Sequence, residues 1–172
     1  MKTLHVLRHA KSSWAEPGLD DHDRPLAPRG RRDTKRLASY IEAAGIRPEV
    51  VLCSTARRAQ ATLAGVRSAL GDGDVRSDPD LYGASGSEVV LILRGLPAGI
   101  GSAMVVGHNP GLEELVALLT SAGEDGAVRQ LRTKFPTGAL AALELDITEW
   151  SDLAPEDGYL RSLVIPAQLP DG

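Results

Sequence analysis

Aromatic side chains are scarce in this chain: one Phe, two Trp and three Tyr, 3% of 172 residues. Proteins that bind single-stranded nucleic acid stack bases on aromatic rings, and little material is present here for such a surface. The formal net charge of -4 removes the global attraction to a phosphate backbone, so nucleic acid is not an expected partner. Cysteine is scarcer still. Cys53 alone cannot form an intramolecular disulfide and fits a reducing compartment. No apolar run approaches the length of a membrane span, and the amino terminus lacks a charged segment followed by a signal-type apolar stretch. A cytoplasmic protein with no membrane role is expected.

What is present suits a globular domain. Apolar residues make up 42% and charged residues 24%, so the core must be aliphatic. The length accommodates one domain over 1–172, with a sheet buried on both faces. Residues 3–7 read as a short strand, and "SSWAEPGLDDHDRPLAP" as a loop long enough to suggest a function. From 28 to 44 the pattern is helical, with Leu37, Tyr40, Ile41 and Ala44 on one face and Gly45 placed to stop it. Gly30 in the first turn costs this helix some stability.

"VVLCS" at 50–54 is a strand, followed by a helix over 56–70 whose natural N-cap is Thr55. After "GDGD" and a short extended piece come a helix over 87–96 and a strand over 102–106. Asn109 and Pro110 supply an N-cap and an N1 proline for a fourth helix. A turn at 123–126 and two late strands, 138–145 and 160–165, complete the reading. This alternation predicts a three-layer α/β/α domain around a mostly parallel sheet.

In an open parallel sheet, ligands bind beyond the carboxyl ends of the strands. Three stretches fall there: "RHAK", "STARRAQ" and "GHNPG". They contribute Arg8 and His9, Arg57 or Arg58, and His108. Arg57 and Arg58 stand in the first turn of a helix, where the macrodipole disfavours cations. A local rule broken in this way is a sign of function, and an anion between the helix start and a guanidinium would repair it. Arginine offers a planar fork that matches phosphate oxygens. Two histidines and at least two arginines, with no carboxylate in the three stretches, suit a phosphoryl group better than a metal. No cofactor is expected: neither G-x-G-x-x-G after the first strand nor G-x-x-x-x-G-K-[ST] occurs. A neutral His9 could attack phosphorus through one ring nitrogen while the other donates to a backbone carbonyl.

"LRHA", "STARRAQAT" and "VVGHNPGLEELV", in this order, resemble the histidine phosphatase superfamily. "DRPLAPRG" and "FPTGALAALEL" make the chain similar to its SixA-type phosphohistidine phosphatase branch, and the resemblance runs from Leu4 to about Leu145. It implies a phosphoglycerate mutase-like fold and a metal-independent phosphatase with a phosphohistidine intermediate on His9. Arg8, Arg57 and His108 would line the phosphate pocket, Arg58 being a solvated helix residue. Arg24 adds to the rim, with Ser12 and Ser13 as further donors. The substrate implied is a phosphohistidine on a partner protein, with a small phosphoester or a non-catalytic phosphate-recognising module as alternatives. Ala10 stands where the family has Gly, a substitution that requires negative φ there.

The general acid is open: Asp80, Glu16, Asp20 or Asp21 could serve, or none is needed. His5 is read as packing in its strand and His22 as a surface loop residue. Trp14 either lines the entrance or anchors its loop. Cys53 is read as a buried small hydrophobe, because the arginine of a cysteine-based phosphatase loop would have to fall on Ala59.

Overall fold

The computed structural model describes Met1–Gly172 and builds one sheet from seven strands. These are β1 (Lys2–Arg8), β2 (Val50–Ser54), β3 (Asp74–Asp78), β4 (Ser102–Gly107), β5 (Thr120–Gly123), β6 (Leu140–Leu145) and β7 (Gly158–Val164). Their order is β3-β2-β4-β1-β6-β7-β5. The pairs β3/β2, β2/β4, β4/β1 and β7/β5 are parallel, and β1/β6 and β6/β7 are antiparallel. The mostly parallel sheet is therefore present, with an antiparallel hairpin inserted beside β1.

Side-chain alternation along the central strands buries both faces. Leu4 and Val6 of β1 and Ala103 and Val105 of β4 enter one apolar cluster, while Leu7, Met104 and Val106 enter another on the opposite face. Helices α1 (Pro28–Ala44) and α2 (Arg57–Val66) cover the second face with Leu37, Ile41, Leu63 and Val66. Helices α3 (Gly86–Arg94) and α4 (Gly111–Leu119) cover the first with Leu93, Leu112 and Leu115. Three layers result. The few aromatics are used sparingly: Phe135 and Trp150 are fully buried in the larger cluster, and the Trp150 indole donates to the Ile100 carbonyl at 2.7 Å. His5 packs within β1 as expected, and burial lowers its pKa to about 4. No helix is long and apolar enough to cross a membrane.

Several local expectations are corrected. Helix α2 starts one residue later than read: Ala56 is its N-cap, and Thr55 instead bonds the His22 ring at 2.9 Å. Asn109 does not cap α4, whose N-cap is Pro110; the Asn109 amide donates to the Phe135 carbonyl at 2.8 Å. The turn read at 123–126 hides the end of β5 and the start of helix α5 (Asp125–Thr133), which buries only Ala127. Helix α3 begins with a capping box between Ser85 and Glu88.

Gly30 earns its place in α1 by contact. A Cβ there would lie 2.2 Å from the Lys11 carbonyl oxygen, so the helix can lie against the segment that follows β1 only with glycine at this position.

Candidate active site

The parallel strands β2, β4 and β1 end together, at Ser54, Gly107 and Arg8. This places Ser54, His108, Arg8 and His9 on one edge of the sheet. The backbone around His9 is held from both sides. His9 N–H donates to the Gly107 carbonyl at 3.0 Å, and Gly138 N–H donates to the carbonyls of Arg8 and His9 at 3.1 and 2.9 Å. Ala10 N–H donates to Thr62 Oγ1 at 2.9 Å, and that hydroxyl donates to the Arg58 carbonyl at 2.7 Å. Ala10 is fully buried and does not have positive φ, a conformation that Glu156 alone adopts among non-glycine residues, so its Cβ introduces no strain.

His9 is 6% exposed, and its Nδ1 lies 2.8 Å from the Ala10 carbonyl oxygen. A carbonyl can only accept, so Nδ1 carries the proton and Nε2 keeps its lone pair. Burial lowers the His9 pKa to about 3, and the charges of His108, Arg58 and Arg8 push the same way against the Ala10 carbonyl. The ring is therefore neutral at physiological pH. The His108 ring centroid lies 5.1 Å from that of His9. Its Nε2 bonds Ser54 Oγ at 2.8 Å, and its pKa falls to about 4 through burial and the nearby Arg58.

Arg58 is the arginine of this cluster. It is 6% exposed, and its charge acts on His9, His108 and Arg8. It donates from Nη1 to the Asp21 carbonyl at 2.6 Å and from Nη2 to Asp21 Oδ2 at 3.0 Å. The reading of Arg58 as a solvated residue is corrected. Arg57 is the exposed one; it turns away from the cluster toward the Asp23 carbonyl at 3.4 Å. Arg8 donates to the Phe135 carbonyl at 3.1 Å. Arg8 Nε, Arg58 Nε, His108 Nδ1 and Asn109 Oδ1 are buried without a protein partner. Such atoms are costly to leave unsatisfied, and here three of the four belong to cationic or imidazole groups gathered at one strand edge.

The first loop folds over this edge. Arg24 is 7% exposed and ties the loop together: it donates to Ser12 Oγ at 2.7 Å, the Ser13 carbonyl at 3.2 Å and Asp21 Oδ1 at 3.1 Å, and it stacks 3.5 Å over the exposed Trp14 ring. Ser12 and Ser13 are thus spent within the loop, Ser13 Oγ accepting from Ala15 N–H at 3.1 Å. Of the four acidic candidates, Asp21 joins the cluster. Its carboxylate also accepts from Tyr82 OH at 2.5 Å, and that bond together with Arg58 and Arg24 holds it well below the usual carboxylate range. A group so firmly ionised positions Arg58 and has no proton to give at neutral pH. Glu16, Asp20 and Asp80 are exposed.

Sequence reasoning missed Tyr82, His22 and Glu113. Tyr82 stands edge-on to His108 and to His22, with ring centroids 5.5 and 4.9 Å away. His22 is half-buried, contrary to the surface reading. Glu113 bears its charge on Arg8 and lies 3.5 Å from the Asn109 amide. The i,i+4 spacing from Asn109 on "NPGLE" was the available signal. Cys53 is buried, and burial pushes its thiol up to about 12, as suits a core residue and not a nucleophile.

Fold and site together define an α/β protein whose three parallel strands deliver two neutral imidazoles and two guanidiniums to one point. The family model of the histidine phosphatase superfamily (branch 1) matches residues 4–85. The chain is 36% identical over 162 residues to an uncharacterized protein of Mycobacterium tuberculosis, covering 93% of this chain and 99% of that one. Among solved structures it is similar to a protein from Nakamurella multipartitia proposed to be the phosphohistidine phosphatase SixA, with 31% identity, 96% of each chain covered and a TM-score of 0.81. A second protein with the same proposed assignment, from Agrobacterium tumefaciens, has 30% identity and a TM-score of 0.76, with 84% of this chain and 92% of that one covered. The chain belongs to the histidine phosphatase superfamily. Its fold is the phosphoglycerate mutase-like fold, and its likeness within the superfamily is to the SixA type.

Proposed function

We propose that the protein is a phosphatase that works through a phosphohistidine on His9 and removes phosphate from a phosphohistidine of a partner protein. The observation that carries this reading is the 2.8 Å contact between His9 Nδ1 and the Ala10 carbonyl, which leaves Nε2 as an unprotonated nucleophile in a ring too buried to charge.

In the first step Nε2 attacks phosphorus and forms a P–N bond. The bond from phosphorus to the substrate nitrogen breaks, and its electron pair stays on that nitrogen, which takes a proton from solvent. Arg8, Arg58 and His108 hold the equatorial oxygens, where negative charge must be met in the transition state. Water then attacks the phosphorylated His9, the P–Nε2 bond breaks, and inorganic phosphate leaves. An imidazole leaving group is neutral once protonated, so the reaction asks less of an enzymatic acid than a phosphoester does. This agrees with an Asp21 committed to Arg58.

The test is turnover of a generic aryl phosphate and of a phosphohistidine peptide in the presence of EDTA, for the wild type and for His9→Ala. EDTA-resistant hydrolysis that vanishes in the variant, with label trapped on His9 by rapid quench, is the expected result. Turnover of the aryl phosphate alone would assign the site to small phosphoesters. Phosphate binding with no turnover would reduce the protein to a recognition module.

A further inference from the structure

Arg57, which the active site does not use, lines a separate groove between α1 and α2. The groove has a volume of about 490 Å³, with Arg31, Lys35 and Arg57 on its rim and Pro25 and Leu26 among its apolar walls. No carboxylate lines it. None of the three cations takes part in an ion pair, whereas Arg29 and Arg36 of the same helix lean on Asp33 at 3.8 and 3.9 Å. The first turn of α1 carries no acidic residue, so its cations stand against the macrodipole as well as against one another. In a chain of net charge -4, this concentration of unpaired positive charge is a local device.

The groove shares a wall with the active site. Arg58 reaches the Asp21 carbonyl from the inner side of the first loop, and the adjacent Arg57 reaches the Asp23 carbonyl two residues along. Pro25 and Leu26 then continue the loop into the groove.

We propose that this groove docks an acidic segment of the phosphoprotein substrate, with an apolar side chain of that segment seated against Pro25 and Leu26 and its carboxylates on Arg31, Lys35 and Arg57. The inference rests on the phosphoprotein reading above and deepens it. A cationic rim over an apolar floor matches an acidic amphipathic peptide by charge and by shape, and it gives a protein substrate contacts that a small phosphoester cannot make.

The experiment uses two phosphohistidine peptides of equal length, one flanked by glutamate and leucine and the other by serine. At low salt the acidic peptide should show a KM about five- to tenfold lower, the scale of a few exposed charge pairs. In Arg31→Gln/Lys35→Gln that advantage should shrink to about twofold, while aryl phosphate turnover stays at the wild-type level. Lys35→Glu, a single exposed change, should reverse the preference and guards against misfolding of the double variant. Equal KM values for the two peptides in the wild type would overturn the docking surface and leave the proposed reaction standing. Failure to hydrolyse either peptide, with the aryl phosphate still turned over, would overturn the phosphohistidine reading. Docking would then be decided by fluorescence anisotropy of the unphosphorylated acidic peptide: binding weakened by Lys35→Glu supports the groove, and no binding refutes it.

Discussion

The presence of Arg58, and not Arg57, in the cluster proposed to hold phosphate gives a sharp prediction, because the two residues are neighbours in sequence and identical in chemistry. Arg58→Ala removes a guanidinium that is 6% exposed and whose charge reaches His9, His108 and Arg8. Loss of one preorganised donor to a transition-state oxyanion costs about 3–4 kcal/mol, or roughly 10²- to 10³-fold in kcat. Arg57→Ala removes an exposed side chain with a single 3.4 Å contact and should change kcat by no more than about twofold. Arg58→Lys keeps the charge but loses the planar fork, so it should fall between the two.

The fold should survive Arg58→Ala. Asp21 keeps its bonds to Tyr82 at 2.5 Å and to Arg24 at 3.1 Å, and the loop remains tied to Ser12 and Ser13 through Arg24. A loss of stability of about 1–3 kcal/mol is expected for the hydrogen bonds removed with the charge. Steady-state aryl phosphate hydrolysis, with inhibition by inorganic phosphate as a measure of oxyanion affinity, reads the comparison directly. Arg57→Ala as damaging as Arg58→Ala, or Arg58→Ala with activity retained within about threefold, would refute the role proposed for Arg58.

Ser54→Ala leaves His108 Nε2 without the hydroxyl now 2.8 Å away; kcat should fall about tenfold, and ¹⁵N chemical shifts of His108 should report a changed tautomer. His5, His9 and His108 have folded-state pKa values lowered to about 4, 3 and 4, below the ordinary 6.5 of an unfolded histidine. Between about pH 6.5 and 4 the unfolded chain therefore binds more protons, so urea midpoints should drop as pH falls through that window, and substitution of His5 by Asn should flatten the slope. Gly30→Ala drives a Cβ into the Lys11 carbonyl and should lower Tm markedly, whereas Ala10→Gly, at a buried position without positive φ, should cost about 0.5–1 kcal/mol in chemical denaturation and gain no activity.

The central architecture was legible because its signals are strong and local. Helix α1 runs from Pro28 to Ala44 with Gly45 in the left-handed conformation at φ 67, as the sequence pattern required. Strands β2 and β4 are built on unbroken apolar runs, 50–53 and 103–106, as a sheet covered on both sides requires. The distinction between Arg57 and Arg58 has a different basis. It depends on a rotation of about 100° per residue around α2, which motif register alone does not resolve. Arg58 shares its face with Thr62 and Val66, both buried, while Arg57 shares its face with Ala61 and Gly65. That periodicity is present in the sequence and separates the buried arginine from the exposed one.

Tyr82 was beyond such reasoning. It follows the short turn Pro79–Leu81, and its partner Asp21 lies sixty-one residues earlier, so only the closed fold brings them together. Strand β5 is four residues of "TSAG" at the sheet edge, too short and too polar for a periodic apolar signal, whereas α5 does carry one in Ala127, Val128 and Leu131, which face the larger cluster.

The bifurcated hydrogen bond from Gly138 N–H to the carbonyls of Arg8 and His9, with the Phe135 carbonyl on Arg8, has a consequence for biosynthesis. Arg8 and Phe135 are 127 residues apart, so the groups that hold the His9 backbone and its neighbour's guanidinium are made long after His9 itself. A nascent chain that has not yet reached Phe135 lacks both restraints. A chain that stops short of Phe135 carries Arg8 and His9 without the contacts that position them in the folded protein.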